Sequence, residues 1–178
     1  MGAGAKAHLE DLGVDVSMIE TKRNRTSAIY LSILNDKNDM ELAISDMDVV
    51  KYILPDILDR NARALAAAKV IAIDGNLERE TIEYAAKKFS GIPLFFDPVS
   101  TPKAVRAADV IGSFTCVKPN VMEAEVLSGI RIESEADLKR AGQWFIDKGV
   151  KKVFITLNKD GVYYLSLIHI SEPTRLGM

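Results

Sequence analysis

The chain has 178 residues, enough for one well-formed domain, and is 48% apolar and 27% charged, as soluble globular proteins are. Its formal net charge of -2 argues against a nucleic-acid partner, since binding by counterion release needs a basic face. No apolar run is long enough to span a bilayer, no signal pattern opens the chain, and one cysteine excludes an internal disulfide. We therefore expect a cytoplasmic protein that acts on a small molecule, with no nucleic-acid or membrane partner.

The N-terminal third predicts a helix followed by a β-hairpin. The helix covers residues 5–12 and ends at Gly13, because glycine suits a left-handed position after a helix. Two β-like stretches, 27–34 and 40–45, flank a polar interval at 35–39 that is a hairpin signal. Apolar residues alternate along the first stretch, which predicts a ribbon that covers another surface with one face.

From residue 50 onward, helical patterns alternate with short apolar runs. The helical patterns are 50–68, interrupted by Pro55, then 78–89, and a third that begins at Ser134 and ends before Gly149. The strand-like runs are 70–74, 94–97, 114–117, 153–157 and 162–165. Continuous apolar runs are typical of strands buried on both faces, and their alternation with helices predicts a parallel sheet. The residues therefore predict an α/β layered domain with an added β-hairpin.

Polar side chains follow four of these strands at the same end. The four groups are Asp74-Gly75-Asn76, Asp97-Pro98-Val99-Ser100, Lys118-Pro119-Asn120 and Thr156-Leu157-Asn158-Lys159-Asp160-Gly161. Ligands of parallel α/β sheets bind beyond the carboxyl ends of the strands, so this edge is the predicted ligand site. Two carboxylates there suit hydrated Mg²⁺, which prefers oxygen ligands.

Asn120 and Glu123 have both a structural and a functional interpretation. As structure, an N-cap followed three residues later by a carboxylate simply begins a helix. As function, the same helix N-terminus offers N–H groups to phosphate, and Glu123 reaches a metal ion. Spacing alone favours the structural interpretation. Asp97 also has a structural interpretation, as the cap of the next helix. Thr156 and Gly161 have one as residues of a turn.

Three segments in this order resemble the PfkB or ribokinase-like kinase superfamily. They are Phe96-Asp97-Pro98-Val99-Ser100, residues 117–125 with the Asn120-x-x-Glu123 motif, and residues 156–164. Residues 30–34 and 43–48 are most similar to the pseudouridine kinase branch. The resemblance implies a ribokinase-like three-layer α/β/α fold with a mainly parallel sheet and a small β-hairpin lid at about 26–46.

The resemblance also implies ATP-dependent phosphorylation, at the 5′ hydroxyl of pseudouridine or of a related nucleoside or sugar. Phosphoryl transfer is mostly positioning and charge neutralisation, which these residue types can supply. By this resemblance the expected ATP-binding residues are Lys118, Asn120, Thr156, Asn158 and Gly161. The expected Mg²⁺ ligands are Glu123 and Asp97, and the expected substrate-binding residues are Asp46, Asp74 and Asn76. A homodimer of the full-length parent is also expected.

The sequence departs from the family in several places. Asn158 stands where these kinases usually carry glycine, and Lys103 is at most the counterpart of the arginine that many sugar kinases have soon after the strand at 94–97. The family's Gly-Ala-Gly-Asp segment, which carries the general base, does not occur, nor does its N-terminal glycine-rich loop. We therefore expect 1–165 to be an incomplete kinase domain with no catalytic residue of its own. General bases contribute roughly 10²–10⁴-fold, so this chain alone is expected to be inactive.

Two alternatives to a pseudouridine kinase stay open. One is another PfkB-type kinase, acting on ribose, another nucleoside or a hydroxymethylpyrimidine. The other is a non-catalytic α/β protein that uses the same polar edge to hold a ligand. A dinucleotide-binding dehydrogenase is disfavoured, because Gly2-Ala3-Gly4 lacks the later glycine and does not follow a strand.

Residues 166–178 follow neither the helical nor the strand period. They resemble the translation of a sequencing adapter, and we expect them to be a non-native tail; a frayed native terminus is the alternative. We predict that DNA sequenced across the codons after Leu165 continues in a frame that encodes Gly-Ala-Gly-Asp. A frame that ends with 166–178 would contradict the prediction and favour a binding role.

Overall fold

The computed structural model describes residues 2–36, 40–167 and 174–176. The chain divides into two compact units, Met1–Ile53 and Leu54–Met178, and each unit is described by itself. Within the described ranges, no helix has the length and apolar character needed to cross a membrane.

The first unit contains the predicted helix and hairpin. Its elements are α1 (Gly2–Asp11), β1 (Ile29–Leu34), β2 (Met40–Asp46) and a 3₁₀ helix (Asp48–Tyr52). The strands pair antiparallel, with Ile29 opposite Asp46, so the hairpin prediction is confirmed. Gly13 has a φ of 78°, the left-handed conformation expected after α1. Of the predicted connecting interval, residues 37–39 lie outside the described residues.

The hairpin exposes apolar side chains on both of its faces. Every residue of β1 is exposed, including Tyr30 at 61% and its neighbour Leu31 at 54%. Among the described residues of this unit nothing covers either face of β1, and the covering role of the ribbon stays a prediction. The physical reason is that a two-stranded ribbon has no second layer of its own to bury either face.

The second unit is an α/β domain. Its helices are α2 (Pro55–Arg60), α3 (Ala62–Ala66), α4 (Arg79–Lys88), α5 (Thr101–Ala104), α6 (Val121–Ser128) and α7 (Glu135–Lys148), with 3₁₀ helices at Val105–Ser113 and Asn158–Asp160. Its strands are β3 (Ile71–Asp74), β4 (Leu94–Asp97), β5 (Cys116–Val117), β6 (Lys152–Thr156), β7 (Val162–Ser166) and β8 (Thr174–Leu176). The helical pattern expected over 50–68 is divided at Pro55, which begins α2, where its missing N–H costs no hydrogen bond.

One six-stranded sheet runs through this unit in the order β3-β4-β5-β6-β7-β8. Strands β3 to β6 are parallel, and β7 and β8 are antiparallel to their neighbours, so the expected mainly parallel sheet is present. Ser166 is buried and ends β7, so the predicted boundary between 165 and 166 falls inside a strand. Residues 168–173 and 177–178 lie outside the described part of the chain, and the non-native origin of the tail stays a prediction.

The hydrophobic core lies on one face of the sheet. Leu94 and Phe96 of β4 are buried in it with residues of α4, α6 and α7, whereas Phe95 between them is 39% exposed. Strand periodicity places Phe154 and Tyr164 on the same face as Phe95, and the centroids of their two rings lie 4.7 Å apart. The expectation of burial on both faces is therefore wrong for β4, because the described helices cover one face.

Helix α7 begins and ends as its sequence predicts. The Ser134 hydroxyl accepts a hydrogen bond from the Asp137 backbone N–H at 3.2 Å, and Gly149 takes the left-handed conformation at the C-terminus. Arg140 and Ser134, through hydrogen bonds, hold the pKa of the Asp137 carboxyl at about 2. Gly112 packs directly against this C-terminus, so closely that a Cβ on it would lie 1.9 Å from the Lys148 carbonyl oxygen.

We predict that Gly112→Ala destabilises the protein, because the Lys148 main chain would have to move to admit a methyl group. The expected loss in the free energy of unfolding is about 1–3 kcal/mol, measured by urea denaturation. Gly91→Ala is the matched control, since no heavy atom lies within 4 Å of its Cβ position. Equal losses in the two variants would contradict the prediction.

Candidate functional site

The carboxyl ends of the parallel strands bring most of the predicted site residues to one edge of the sheet. Asp74 of β3 lies opposite Asp97 of β4 in the strand register. The Lys118 ammonium, after β5, is 3.0 Å from a carboxylate oxygen of Asp97. Asn120 forms a parallel bridge with Thr156, at the end of β6. The predicted polar edge is therefore confirmed as an arrangement of residues.

Asp46 is the predicted site residue that belongs to the other unit, where it ends β2. Its carboxylate accepts hydrogen bonds from the Asp48 backbone N–H at 3.1 Å and from the Thr26 hydroxyl at 3.3 Å. The side chain is exposed, and its proposed contact with substrate stays a prediction.

Asp74 and Asn76 form a local turn at the end of β3. One carboxylate oxygen of Asp74 accepts from the Asn76 backbone N–H at 2.8 Å, and the other accepts from the Asn76 side-chain amide at 3.0 Å. The Lys103 ammonium donates to the Asn76 side-chain oxygen at 2.6 Å. Each carboxylate oxygen has two lone pairs, so exposed Asp74 keeps acceptor capacity for a ligand hydroxyl.

Arg106 is a residue of this edge that sequence reasoning missed. Its guanidinium donates to the backbone carbonyls of Gly75, Asn76 and Leu77, the three residues that follow β3, at 3.3, 3.0 and 2.8 Å. No motif marks an arginine whose partners are main-chain oxygens. The available signal was its position, a cation shortly after the helix that follows β4.

Asp97 holds a tight turn instead of capping helix α5. Its carboxylate accepts from the Val99 backbone N–H at 3.1 Å, and Ser100, the residue before α5, makes no side-chain cap hydrogen bond. The helix-cap interpretation of Asp97 is therefore wrong. Val99 has a φ of 69°, which is unfavourable for a β-branched residue and stores strain of about 1–3 kcal/mol.

The Asn120-x-x-Glu123 motif forms a reciprocal capping box at the start of α6. The Asn120 side-chain oxygen accepts from the Glu123 backbone N–H, and the Glu123 carboxylate accepts from the Asn120 backbone N–H, both at 2.9 Å. Glu123 is buried, with 3% of its surface exposed. The structural interpretation of the motif is therefore confirmed, and its roles toward phosphate and metal stay predictions.

The segment from Thr156 to Gly161 forms a tight turn between β6 and β7. The Thr156 backbone N–H donates to the Pro119 carbonyl at 2.9 Å, and the Leu157 N–H donates to the Gly161 carbonyl at 2.8 Å. Asn158 has a φ of 53°, a left-handed conformation that glycine adopts freely and asparagine tolerates. Asn158 therefore adopts the left-handed conformation that a glycine at this position could also adopt.

A groove of about 480 Å³ adjoins this turn. It is lined by Val121, Ile132, Glu133, Ser134, Glu135, Leu138, Leu157, Asn158, Asp160 and Tyr163. Its walls combine aliphatic side chains, one aromatic ring and several polar groups, residue types that also line small-molecule sites.

The donor set suits Mg²⁺ better than a transition metal. Glu123 and Asp97 offer carboxylate oxygens, and magnesium is commonly held by one or two carboxylates together with phosphates and water. In the described ranges no three histidine, cysteine or acidic residues group into a ready-made metal cluster. Cys116 is buried and burial raises the pKa of its thiol, which fits a packing role better than that of a nucleophile or metal ligand.

Comparison with known proteins identifies the family. Residues 1–174 match the family described as pfkB family carbohydrate kinase, and the chain belongs to that family. The pseudouridine kinase of Escherichia coli (strain K12) is 34% identical over 85% of this chain and 48% of its own length. The chain spans about half the length of the curated relatives it matches. Membership in this family confirms the resemblance that the motifs carried.

Solved structures confirm the ribokinase-like fold. Ribokinase from Giardia lamblia superposes with a TM-score of 0.82 at 16% identity, over 99% of this chain and 56% of that one. Arabidopsis thaliana ribokinase complexed with ribose and ATP gives a TM-score of 0.74 at 16% identity, over 93% and 53%. The α/β fold class that the sequence predicted is therefore correct.

We predict that Asn120→Ala lowers the free energy of unfolding by about 0.5–2 kcal/mol, because the Glu123 backbone N–H loses its acceptor. Asn120→Ser is the matched control, since serine keeps an oxygen at the N-cap position. Denaturant unfolding of both variants measures the difference. If serine costs as much as alanine, the capping box does not stabilise α6.

Proposed function

We propose that the protein containing these residues is an ATP-dependent kinase that phosphorylates the 5′ hydroxyl of pseudouridine or of a related nucleoside or sugar. The observation that carries the proposal is the single polar edge at which Asp74, Asp97, Asn120 and Thr156 meet, in a chain of the pfkB family. The 34% identity to an E. coli pseudouridine kinase supports pseudouridine among the acceptors.

Asp74 and Asn76 bind the phosphoryl acceptor in this proposal. Asp74 accepts a hydrogen bond from a hydroxyl of the ribose, using lone pairs that Asn76 leaves unused. Asp46, at the end of β2, is the third acceptor-binding residue, and the β1–β2 hairpin acts as a lid that excludes water during transfer.

The phosphates of ATP lie against the other end of the polar edge. Lys118 offers a positive charge, and the first turn of α6 after Asn120 offers backbone N–H groups and the positive end of a helix dipole. Thr156, Asn158 and Gly161 border the nucleotide. The Lys118 ammonium already pairs with a carboxylate at 3.0 Å, so a bound phosphate would share it.

Glu123 and Asp97 are the residues that would hold Mg²⁺. When bound, the ion would neutralise charge on the transferring phosphoryl group. The capping box fixes the Glu123 carboxylate at the N-terminus of α6, and Asp97 is held by the Val99 backbone N–H. Both carboxylates are thus oriented by main-chain contacts before any ligand arrives.

We assign no general base within residues 1–178. The resemblance places that aspartate in a Gly-Ala-Gly-Asp segment, and these residues do not contain one. The same proposal includes a cytoplasmic location, consistent with a single buried cysteine, and a homodimer of the full-length protein.

The test is an acceptor panel assayed with the full gene product that contains residues 1–178. Pseudouridine, uridine, ribose and a hydroxymethylpyrimidine are compared by ADP release, and the phosphorylated carbon is located by NMR. We expect kcat/KM to be highest for pseudouridine, by about 10-fold or more over uridine. A preference for ribose or the pyrimidine would contradict the pseudouridine assignment, and no acceptor-dependent ADP release would contradict the kinase proposal.

The metal assignment is tested in the same assay with Glu123→Gln. The glutamine amide oxygen still accepts from the Asn120 N–H, so we expect the free energy of unfolding to stay unchanged. We expect kcat/KM to fall about 10²-fold and the Mg²⁺ concentration needed for half-maximal activity to rise. Glu125→Gln is the matched control in the same helix, because its side chain accepts from the Ile132 backbone N–H. Equal losses in both variants would remove Glu123 from the metal site.

A further inference from the structure

Arg106 makes an unusual set of contacts with the loop after β3. One guanidinium nitrogen, Nη1, lies within hydrogen-bond distance of three successive backbone carbonyls, those of Gly75, Asn76 and Leu77. The second, Nη2, is 3.6 Å from the Glu78 carboxylate, and 27% of the arginine side chain is exposed. Three consecutive carbonyls can face one cation only if the main chain curls around it, so the guanidinium defines the path of this loop.

The end of β4 also holds this loop. The Gly75 N–H donates to the Asp97 carbonyl at 2.8 Å, and a Cβ on Gly75 would lie 2.2 Å from the Pro98 carbonyl oxygen. The loop is therefore held both by the main chain at the end of β4 and by the Arg106 guanidinium. Displacement toward β4 is blocked by contact, and displacement away from it breaks charge-assisted hydrogen bonds.

Lys103 acts on the same loop in a different way. Its ammonium binds the side-chain oxygen of Asn76, and the Asn76 amide nitrogen donates to Asp74. Lys103 thus orients a side chain, whereas Arg106 holds the main chain that carries it. The two cations lie three residues apart, one in α5 and the other in the following 3₁₀ helix.

We infer that Arg106 is a positioning residue for phosphoryl-acceptor binding: its hydrogen bonds to the carbonyls of residues 75–77 fix the loop that carries Asn76 relative to Asp74. The expected effect of Arg106 on the affinity for the phosphoryl acceptor rests on the proposed function. A loop already held in its binding conformation does not have to be ordered by the acceptor, so acceptor affinity depends on Arg106. ATP affinity does not, because the residues assigned to ATP follow β5 and β6.

Arg79 provides a matched control for a purely structural role. Its guanidinium lies 2.6 Å from the Asp109 carboxylate and donates to the Val105 carbonyl at 2.9 Å, so it ties α4 to the 3₁₀ helix that contains Arg106. None of these contacts involves residues 75–77. Removing Arg79 disturbs the same helix while leaving the three carbonyls with their donor.

The experiment compares Arg106→Ala, Arg106→Lys and Arg79→Ala in the full gene product. The first readout is hydrogen–deuterium exchange, which does not depend on activity. We expect exchange at the amides of 75–77 to rise at least about 10-fold in Arg106→Ala and to stay unchanged in Arg79→Ala. Unchanged exchange at 75–77 in Arg106→Ala, or an equal rise in both alanine variants, overturns the inference.

The second readout separates the two substrates kinetically. In Arg106→Ala we expect KM for the preferred acceptor to rise about 10-fold while KM for ATP stays within about 2-fold. Arg106→Lys is expected to be intermediate, because the lysine ammonium keeps the positive charge but sits on a flexible stem and cannot keep the second contact, that of Nη2 with Glu78. Arg79→Ala is expected to match the wild type. Equal rises in both KM values for Arg106→Ala overturn the inference.

The two readouts also distinguish failure of this inference from failure of the proposed function. If the wild-type protein phosphorylates no acceptor, the proposed function fails, and exchange at 75–77 still decides whether Arg106 holds the loop. If the alanine variant does not fold, Arg106→Lys replaces it in both measurements: a smaller rise confined to 75–77 and to acceptor KM supports the inference, and wild-type values overturn it.

Discussion

The parallel register of β3 to β6 is the constraint on which the rest of the site depends. Main-chain pairing places Asp74 opposite Asp97, and a parallel main-chain bridge pairs Asn120 with Thr156. Residues as far apart in the sequence as Asp74 and Thr156, 82 positions, therefore meet at one edge. Each strand also delivers its chain into a turn or helix start, so donors and acceptors of the main chain are concentrated where polar side chains already converge.

Most polar side chains of this edge are fixed by the protein before any ligand is present. Asp74 is bound by Asn76, Glu123 by the Asn120 backbone, and Asp97 by both Lys118 and the Val99 backbone. Such contacts remove rotamer freedom that a ligand would otherwise have to restrict, which favours binding by pre-organisation. Strain at Val99 shows that the surrounding main chain holds this geometry against a local preference.

Local signals in the sequence predicted local structure well. The spacing of Asn120 and Glu123 predicted a capping box, Gly13 and Ser134 marked helix ends, and strand-end polar groups predicted the edge itself. Features that depend on distant main chain were not predictable in this way. The partners of Arg106 are carbonyl oxygens, which every residue carries and no sequence pattern reports. Burial of β4 on both faces was wrongly expected, because coverage of a face depends on elements elsewhere in the fold.

The exposed ring of Phe95, with the Phe154–Tyr164 pair, has a consequence for the behaviour of the protein in concentrated solution. Aromatic surface in water favours association between molecules, and long-range charge repulsion is the main force that opposes it. A net charge of -2 spread over 178 residues supplies little repulsion, and ordinary salt screens it within about 10 Å. Colloidal stability of this chain therefore depends on pH: alkaline buffers of low ionic strength, in which its negative charge grows, keep the molecules apart.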